Sequence, residues 1–164
     1  MGDTVLRPLT AEDHAEVLAL NERNVELLAP LDEARLDRLV GWAGTAAAIE
    51  LDGAFAGFVL TFDSGSAYDG ENFAWFSERY PDFAYLDRVV IHEDFRRRGL
   101  ATLVYDELES TSGRPLFALE VNIDPPNEPS LAFHRARGFA EVGRRTMRHP
   151  SGDHTVTMLT KPLP

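Results

Sequence analysis

Arg96-Arg97-Arg98-Gly99 stands between a β-branched run, Val89-Val90-Ile91, and a helix-like stretch that begins Leu100-Ala101-Thr102. A strand that passes through a basic turn into a helix leaves the first helical N–H groups without intrahelical acceptors, at the positive end of the helix dipole. That arrangement binds anions, and its size suits a pyrophosphate. Gly99 removes the Cβ that would hold a phosphate away from the backbone. Arg97 and Arg98 offer charge-assisted hydrogen bonds, and Thr102 adds a hydroxyl in the first turn. The segment is not a Walker loop, which needs Gly-Lys-Ser/Thr, and it lacks the G-x-G-x-x-G spacing of dinucleotide folds. Judged by charge alone, a solvated arginine turn is the plainer explanation.

The rest of the chain narrows the ligand. Of 164 residues, 16 are basic and 27 acidic, a net charge of −11 that disfavours a nucleic-acid backbone as partner. Residues 1–95 hold 6 basic and 19 acidic side chains, whereas residues 96–164 hold 10 and 8. The sign therefore changes at the arginine turn, which points to a small anion rather than a polyanion. With no cysteine there is no disulfide frame, thiolate metal site or cysteine nucleophile. The five histidines show no metal-ligand spacing, so no metal is expected. No apolar run approaches the ~18 residues of a membrane span, no secretory start is present, and Leu6 spoils a myristoylation signal at Gly2. A cytoplasmic protein, one domain over residues 1–164 and no membrane partner are the expectations.

The elements that position the turn are legible in outline. Thr4 to Pro8 reads as a strand. Thr10, with an acid three residues on, opens a helix carrying Val17, Leu18 and Val25, and a second helix runs from about Asp32 to Trp42. Ala46–Leu51 and Ala54–Phe62 form a hairpin, because Asp52-Gly53 supplies the positive φ of a type I′ turn. Asp63 to Gly70 is a loop, and Glu71 to Tyr80 an aromatic helical turn or two. Ala84–His92 is a strand, and Gly99–Ser112 a helix with Leu100, Leu103, Val104 and Leu108 on one face. Leu116–Ile123 is a strand ended by Pro125-Pro126, and Glu128–Arg137 a helix stopped by Gly138. Ala140–Met147 and Thr155–Lys161 make a last hairpin around Pro150-Ser151-Gly152-Asp153. The order predicts a mixed α/β fold of three layers, with the two central strand–helix units as parallel neighbours.

On these residues the sequence resembles the GNAT superfamily of acyl-CoA N-acyltransferases. The family's phosphate loop, Gln/Arg-x-x-Gly-x-Gly/Ala, is matched by Arg96, Gly99 and Ala101. Its later motif, Asn-x-x-Ala-x-x-Leu-Tyr-x-x-x-Gly-Phe, is matched by Asn127, Gly138 and Phe139, with Ser130 and Phe133 as near substitutes. The opening Leu6-Arg7-Pro8-Leu9-Thr10 and the Asp52-Gly53 hairpin also look like the family, so the likeness covers nearly the whole chain. It implies a central mixed sheet of six to seven strands, splayed between two parallel strands, with helices on both faces. It also implies acetyl-CoA as co-substrate and an N-acetyltransferase that acts on a primary amine of a small molecule or peptide, by direct attack in a ternary complex. Val89, Val90 and Ile91 would meet the pantetheine arm, and a strand N–H would face the thioester oxygen. Asn127 would touch the pantetheine or simply cap its helix.

The departures from the family concern proton transfer. The tyrosine with which the family protonates the departing thiolate is replaced by His134, whose reference pKa near 6.5 permits the same task; packing is the other explanation. No general base follows from position. Asp87 and Glu120 are the candidates, on the two strands the family splays apart at its reaction centre. Strand alternation sets Glu120 and Asn122 on one face with Ala118. A carboxylate with an ordinary pKa near 4 is too weak a base, so a raised pKa or a water relay is required. Asp87 has a structural alternative in pairing with neighbouring basic groups. Trp75, Phe76 and Tyr80 either line the acceptor pocket or serve as core or homodimer contacts. Two other functions fit parts of the pattern: a non-catalytic acyl-CoA-binding module, and an interaction domain whose arginines are only a surface turn.

Overall fold

A computed structural model describes residues 3–25, 28–148, 150 and 152–164. Gly2, His149 and Ser151 of the last hairpin turn, all considered above, lie outside the described residues. Seven strands form one sheet in the order β1-β2-β3-β4-β5-β7-β6. They are β1 (Thr4–Pro8), β2 (Thr45–Leu51), β3 (Ala54–Asp63), β4 (Ala84–Ile91), β5 (Leu116–Asp124), β6 (Ala140–Met147) and β7 (His154–Pro162). Every neighbouring pair is antiparallel except β4 and β5, which run parallel because a helix, α4 (Leu100–Thr111), joins them. The remaining helices are α1 (His14–Glu22), α2 (Glu33–Trp42), α3 (Glu71–Ser77) and α5 (Glu128–Ala136). No helix among the described residues is long and apolar enough to cross a membrane.

The two faces of the sheet bury separate cores. Val104, Tyr105 and Leu108 of α4 pack with Leu86, Phe117, Leu119 and Phe139 on one face. Val17 and Leu20 of α1, Leu36 and Leu39 of α2, and Phe73 and Phe76 of α3 pack with Phe58, Phe62 and Met158 on the other. The three-layer mixed α/β fold is as predicted. One helix face differs: Leu103 is half exposed, and Tyr105 takes a place in the buried stripe instead.

Local chemistry explains the joins. Asp52 and Gly53 both adopt positive φ, 53° and 81°, which makes the tight β2–β3 turn. Thr10 begins a short 3-10 turn, Ala11–Asp13, before α1, and its N–H and hydroxyl both donate to Asp13. Arg7 of β1 donates two hydrogen bonds of 2.8 Å to that carboxylate and a third to Glu50 of β2, and so holds Asp13 well below the usual carboxylate range. Asp32 caps α2 by accepting from the Arg35 N–H at 2.7 Å.

The parallel pair carries the feature that matters for function. β4 and β5 are paired only at Ala84–Phe117 and Tyr85–Ala118. On its other side β4 pairs with β3 through Leu86–Thr61 and then Arg88–Leu60, so Asp87 is an extra residue, a bulge. A bulge bends its strand, and this one lies just where β4 leaves β5. It also reverses the alternation: Ala84 and Leu86 face the α4 core, and beyond Asp87 so do Val89 and Ile91. From Leu86 onward the edge of β4 that faces β5 has no strand partner, and the two strands diverge around a cleft.

Candidate active site

The cleft has a volume of about 800 Å³ and runs from the α4 N-terminus to the α3 side of the sheet. Its first end is the basic turn. Gly99 precedes α4 at φ 74°, and Arg97 is also left-handed at φ 62°. With Arg96 extended, these two left-handed residues turn the chain sharply into the helix, whose first N–H groups have no intrahelical acceptor. Ala101 lines the cleft one residue into the helix, so only a methyl group projects there. Arg96 folds back, with its Nε donating to the Ile91 carbonyl at 3.2 Å and another guanidinium N–H donating to Asn24. The Arg98 guanidinium lies 5.6 Å over the Phe95 ring, and Arg97 is exposed. Leu100 buries its side chain in the core and leaves only backbone to the turn.

The middle of the cleft lies between the diverging strands. Val89, Val90, Ile91, Asn122, Asn127 and Ser130 all line it. Asn127 also caps α5, accepting from the Ser130 N–H at 3.3 Å, so the two roles expected for it coexist. Asp87 and Glu120 both border the cleft, but their surroundings differ. Asp87 accepts from Arg88 Nε at 2.7 Å through one oxygen and from the Tyr68 hydroxyl at 2.7 Å through the other. Arg88 is itself buried and donates to Asn21 at 3.0 Å, which fixes the pair as a neutral unit.

Among the described residues Glu120 has no cationic partner in contact. The hydroxyl of buried Tyr85 donates to its Oε1, and the Asn72 amide donates to the same atom at 2.7 Å. Burial pushes its carboxyl up to about 7, opposed by the Tyr85 hydrogen bond and reinforced by the charge of Asp87. A carboxylate so placed is half ionised near neutrality and works as a base where an ordinary one does not.

His134 sits beneath the cleft on α5, 5 % exposed. Its Nδ1 lies 2.7 Å from the Ser130 carbonyl, which can only accept, so Nδ1 carries the proton. Nε2 is then the acceptor for the Tyr105 hydroxyl, 2.7 Å away. Burial lowers the imidazole pKa, against the hydrogen bond to Ser130, and so shifts the ring toward its neutral form.

Trp75, Phe76 and Tyr80 do not line the cleft. Phe76 is fully buried against Phe83 and Tyr85, Tyr80 packs on Phe76, and Trp75 lies between the Arg79 guanidinium, 3.7 Å from its ring, and Gly143 of β6. The same helix offers Glu71 and Asn72 to the cleft instead. Tyr68, Tyr85, Arg88 and Tyr105 are site residues that sequence reasoning missed. Tyr85, Arg88 and Tyr105 are polar-tipped or charged side chains within apolar stripes, and such a tip needs a buried partner; Tyr68, in a polar loop, gave no such signal.

The signature of the acetyltransferase (GNAT) family matches residues 11–139. No curated protein matches the sequence itself. Solved structures share the fold at low identity. NAA60 of Arabidopsis thaliana, in complex with a bisubstrate analogue, superposes with a TM-score of 0.75 at 17% identity, covering 99% of this chain and 100% of that one. The ribosomal-protein-S18-alanine N-acetyltransferase of Escherichia coli gives 0.70 at 20% identity, covering 98% and 94%. A GNAT-family acetyltransferase of Streptococcus pneumoniae gives 0.70 at 17%, covering 99% and 100%. With the family signature extending over most of the chain, the chain belongs to the GNAT family of acetyltransferases.

Proposed function

We propose that the protein transfers an acetyl group from acetyl-CoA to the primary amine of a small molecule or peptide, by direct attack in a ternary complex. The observation that carries this reading is Glu120: a carboxylate held near neutrality in the same cleft that begins at a phosphate-binding turn. A module that only bound acyl-CoA would have no use for such a base.

The residues divide the work along the cleft. The N–H groups of the Arg96–Thr102 turn, with Arg97 and Arg98, hold the pyrophosphate. The unpartnered edge of β4 at Val89–Ile91 receives the amide-rich arm, and one of its N–H groups faces the thioester oxygen, where negative charge gathers during attack. Asn127 and Ser130 border the same arm. When bound, acetyl-CoA supplies an activated acyl carbon and a leaving sulfur. Glu120 takes the proton that the ammonium must lose before attack, through the oxygen not held by Tyr85 and Asn72, and Asn122 lies beside it on the same face. Asp87, held by Arg88 and Tyr68, shapes the strand, and its charge adds to the effect of burial on the Glu120 carboxyl. At the sulfur end His134 acts with Tyr105: Nδ1 keeps its proton on the Ser130 carbonyl, and the single Tyr105 proton, which rests on Nε2, swings from Nε2 to the departing sulfur.

A thiol-release assay over a panel of amines with acetyl-CoA tests the reading. Amine-dependent release that disappears in Glu120→Gln is expected. Tight acetyl-CoA binding with no release for any amine overturns it in favour of a binding module.

A further inference from the structure

Both hydrogen bonds to Glu120 fall on one oxygen. Asn72 Nδ2 and the Tyr85 hydroxyl donate to Oε1, which leaves Oε2 to meet the amine. An amide can present either end to a carboxylate, and the wrong end would set two acceptors against each other. In Asn72 the choice is made by Arg145 of β6, which donates to Oδ1. A guanidinium has only donors and an ionised carboxylate only acceptors, so the amide between them has one allowed orientation. Asn72 is 7% exposed, and its Nδ2 also lies 3.2 Å from the Met147 sulfur, so the amide has no room to drift. Arg145 is steadied in turn by Glu71, 3.5 Å away.

We propose that Arg145, acting through the Asn72 amide, is a positioning residue that locks Oε1 of Glu120 and aims Oε2 at the acceptor amine. The chain Arg145–Asn72–Glu120 links the edge strand β6, helix α3 and the central strand β5, three elements distant in sequence. The other charged or titratable groups around Glu120 are Tyr85 and Asp87 on β4, Tyr68 in the β3–α3 loop and Tyr105 on α4. β7 contributes only the apolar Met158, paired with Glu120 across the strands, and Val156. Arg145 is the cation bonded to Asn72, and its effect reaches the carboxylate through that single hydrogen-bonded amide. Donation to the ionised form favours ionisation, so loss of the link raises the proton affinity of the base.

The proposal rests on Glu120 as the base, and the test separates the two ideas. The rate of thiol release is measured across pH for wild type, Glu120→Gln, Arg145→Met, Arg145→Lys, Asn72→Leu and the double variant Arg145→Met/Asn72→Leu. In Arg145→Met the acid limb of kcat is expected to move up by about one pH unit and kcat to fall roughly ten- to hundredfold, with the KM for acetyl-CoA unchanged. Arg145→Lys restores most of the rate. Asn72→Leu moves the limb at least as far, and Arg145→Met adds nothing in that background, because the link is already cut. An unmoved limb in Arg145→Met, or an equal shift with and without Asn72, overturns the proposal while Glu120 keeps its role. A limb that persists in Glu120→Gln overturns the assignment of the base itself. Titration of the Glu120 carboxyl by carbon-13 NMR gives the same shift without turnover, so a folded but inactive variant still decides the matter.

Discussion

The Tyr105 hydroxyl and Nε2 of His134 lie 2.7 Å apart, on two helices that meet beneath the cleft, with the opposite ring nitrogen committed to the Ser130 carbonyl. A histidine held this way accepts the Tyr105 proton, and the proposed mechanism has that proton turn to the departing sulfur. Both Tyr105→Phe and His134→Phe should therefore slow kcat, by roughly ten- to ten-thousandfold, with little change in acetyl-CoA affinity. The double variant should be no slower than the worse single one, since the two act as a unit. Wild-type rates in both single variants would show that water supplies the proton.

Glu120→Gln should separate activity from stability. A carboxyl whose folded pKa is raised to about 7 contributes stability that is complete below its unfolded value, near 4.3, and is lost as pH rises through 7. The glutamine variant escapes that loss. Its melting temperature should match wild type near pH 5 and exceed it above pH 8, by a margin on the order of a few kcal/mol in unfolding free energy. Its turnover at neutral pH should fall and recover in part at high pH, where more free amine is present. Thermal melts across that range, beside the rate profile, check both halves.

The phosphate turn makes a third prediction. Gly99→Glu places a carboxylate, and a strained left-handed residue at φ 74°, where the phosphates bind, and should abolish acetyl-CoA binding with the fold retained. Arg97 also occupies a left-handed position, so Arg97→Gly removes the charge without a backbone cost. Its loss of affinity should be larger at low salt than at high salt, because the missing contribution is electrostatic. Calorimetry at two ionic strengths measures it.

Asp87 and Arg88 form a buried pair beside the base. Removing one partner leaves the other charge uncompensated, so Arg88→Met should destabilise the fold by about 3–5 kcal/mol. Asp87→Leu in that background should recover most of the loss. Denaturant titration of the single and double variants tests whether Asp87 is chiefly a structural carboxylate.

The elements were legible because each is a local pattern. The Asp52-Gly53 turn, the Asp32 and Asn127 caps and the glycine that opens α4 all act within four residues, and all appear where their spacing places them. The turn proposed to hold the phosphates was legible as a turn for the same reason. The proposed base was legible only as a choice of two, because what divides Asp87 from Glu120 is partnership across the fold: Arg88 and Tyr68 for one, Tyr85 and Asn72 for the other. Alternation along β4 misleads beyond Asp87, since a bulge reverses parity and depends on register with β3. Leu103 and Tyr105 exchanged places for a related reason. Helical spacing admits either to the apolar stripe, and the Tyr105 hydroxyl finds its acceptor only on α5.

The early parting of β4 and β5 also bears on how ligand and fold depend on each other. Two residue pairs hold the halves of the sheet together at that seam, and beyond them β4 exposes an edge inside the molecule. An amide-bearing ligand lying there acts as a missing strand, so binding completes the sheet as well as filling a cleft. The ligand should then behave as a folding partner: at one hundred times its dissociation constant it adds about 2.7 kcal/mol to stability. The gain should be local in hydrogen exchange, with protection rising at the amides of residues 86–91 and leaving the β2–β3 hairpin as it was.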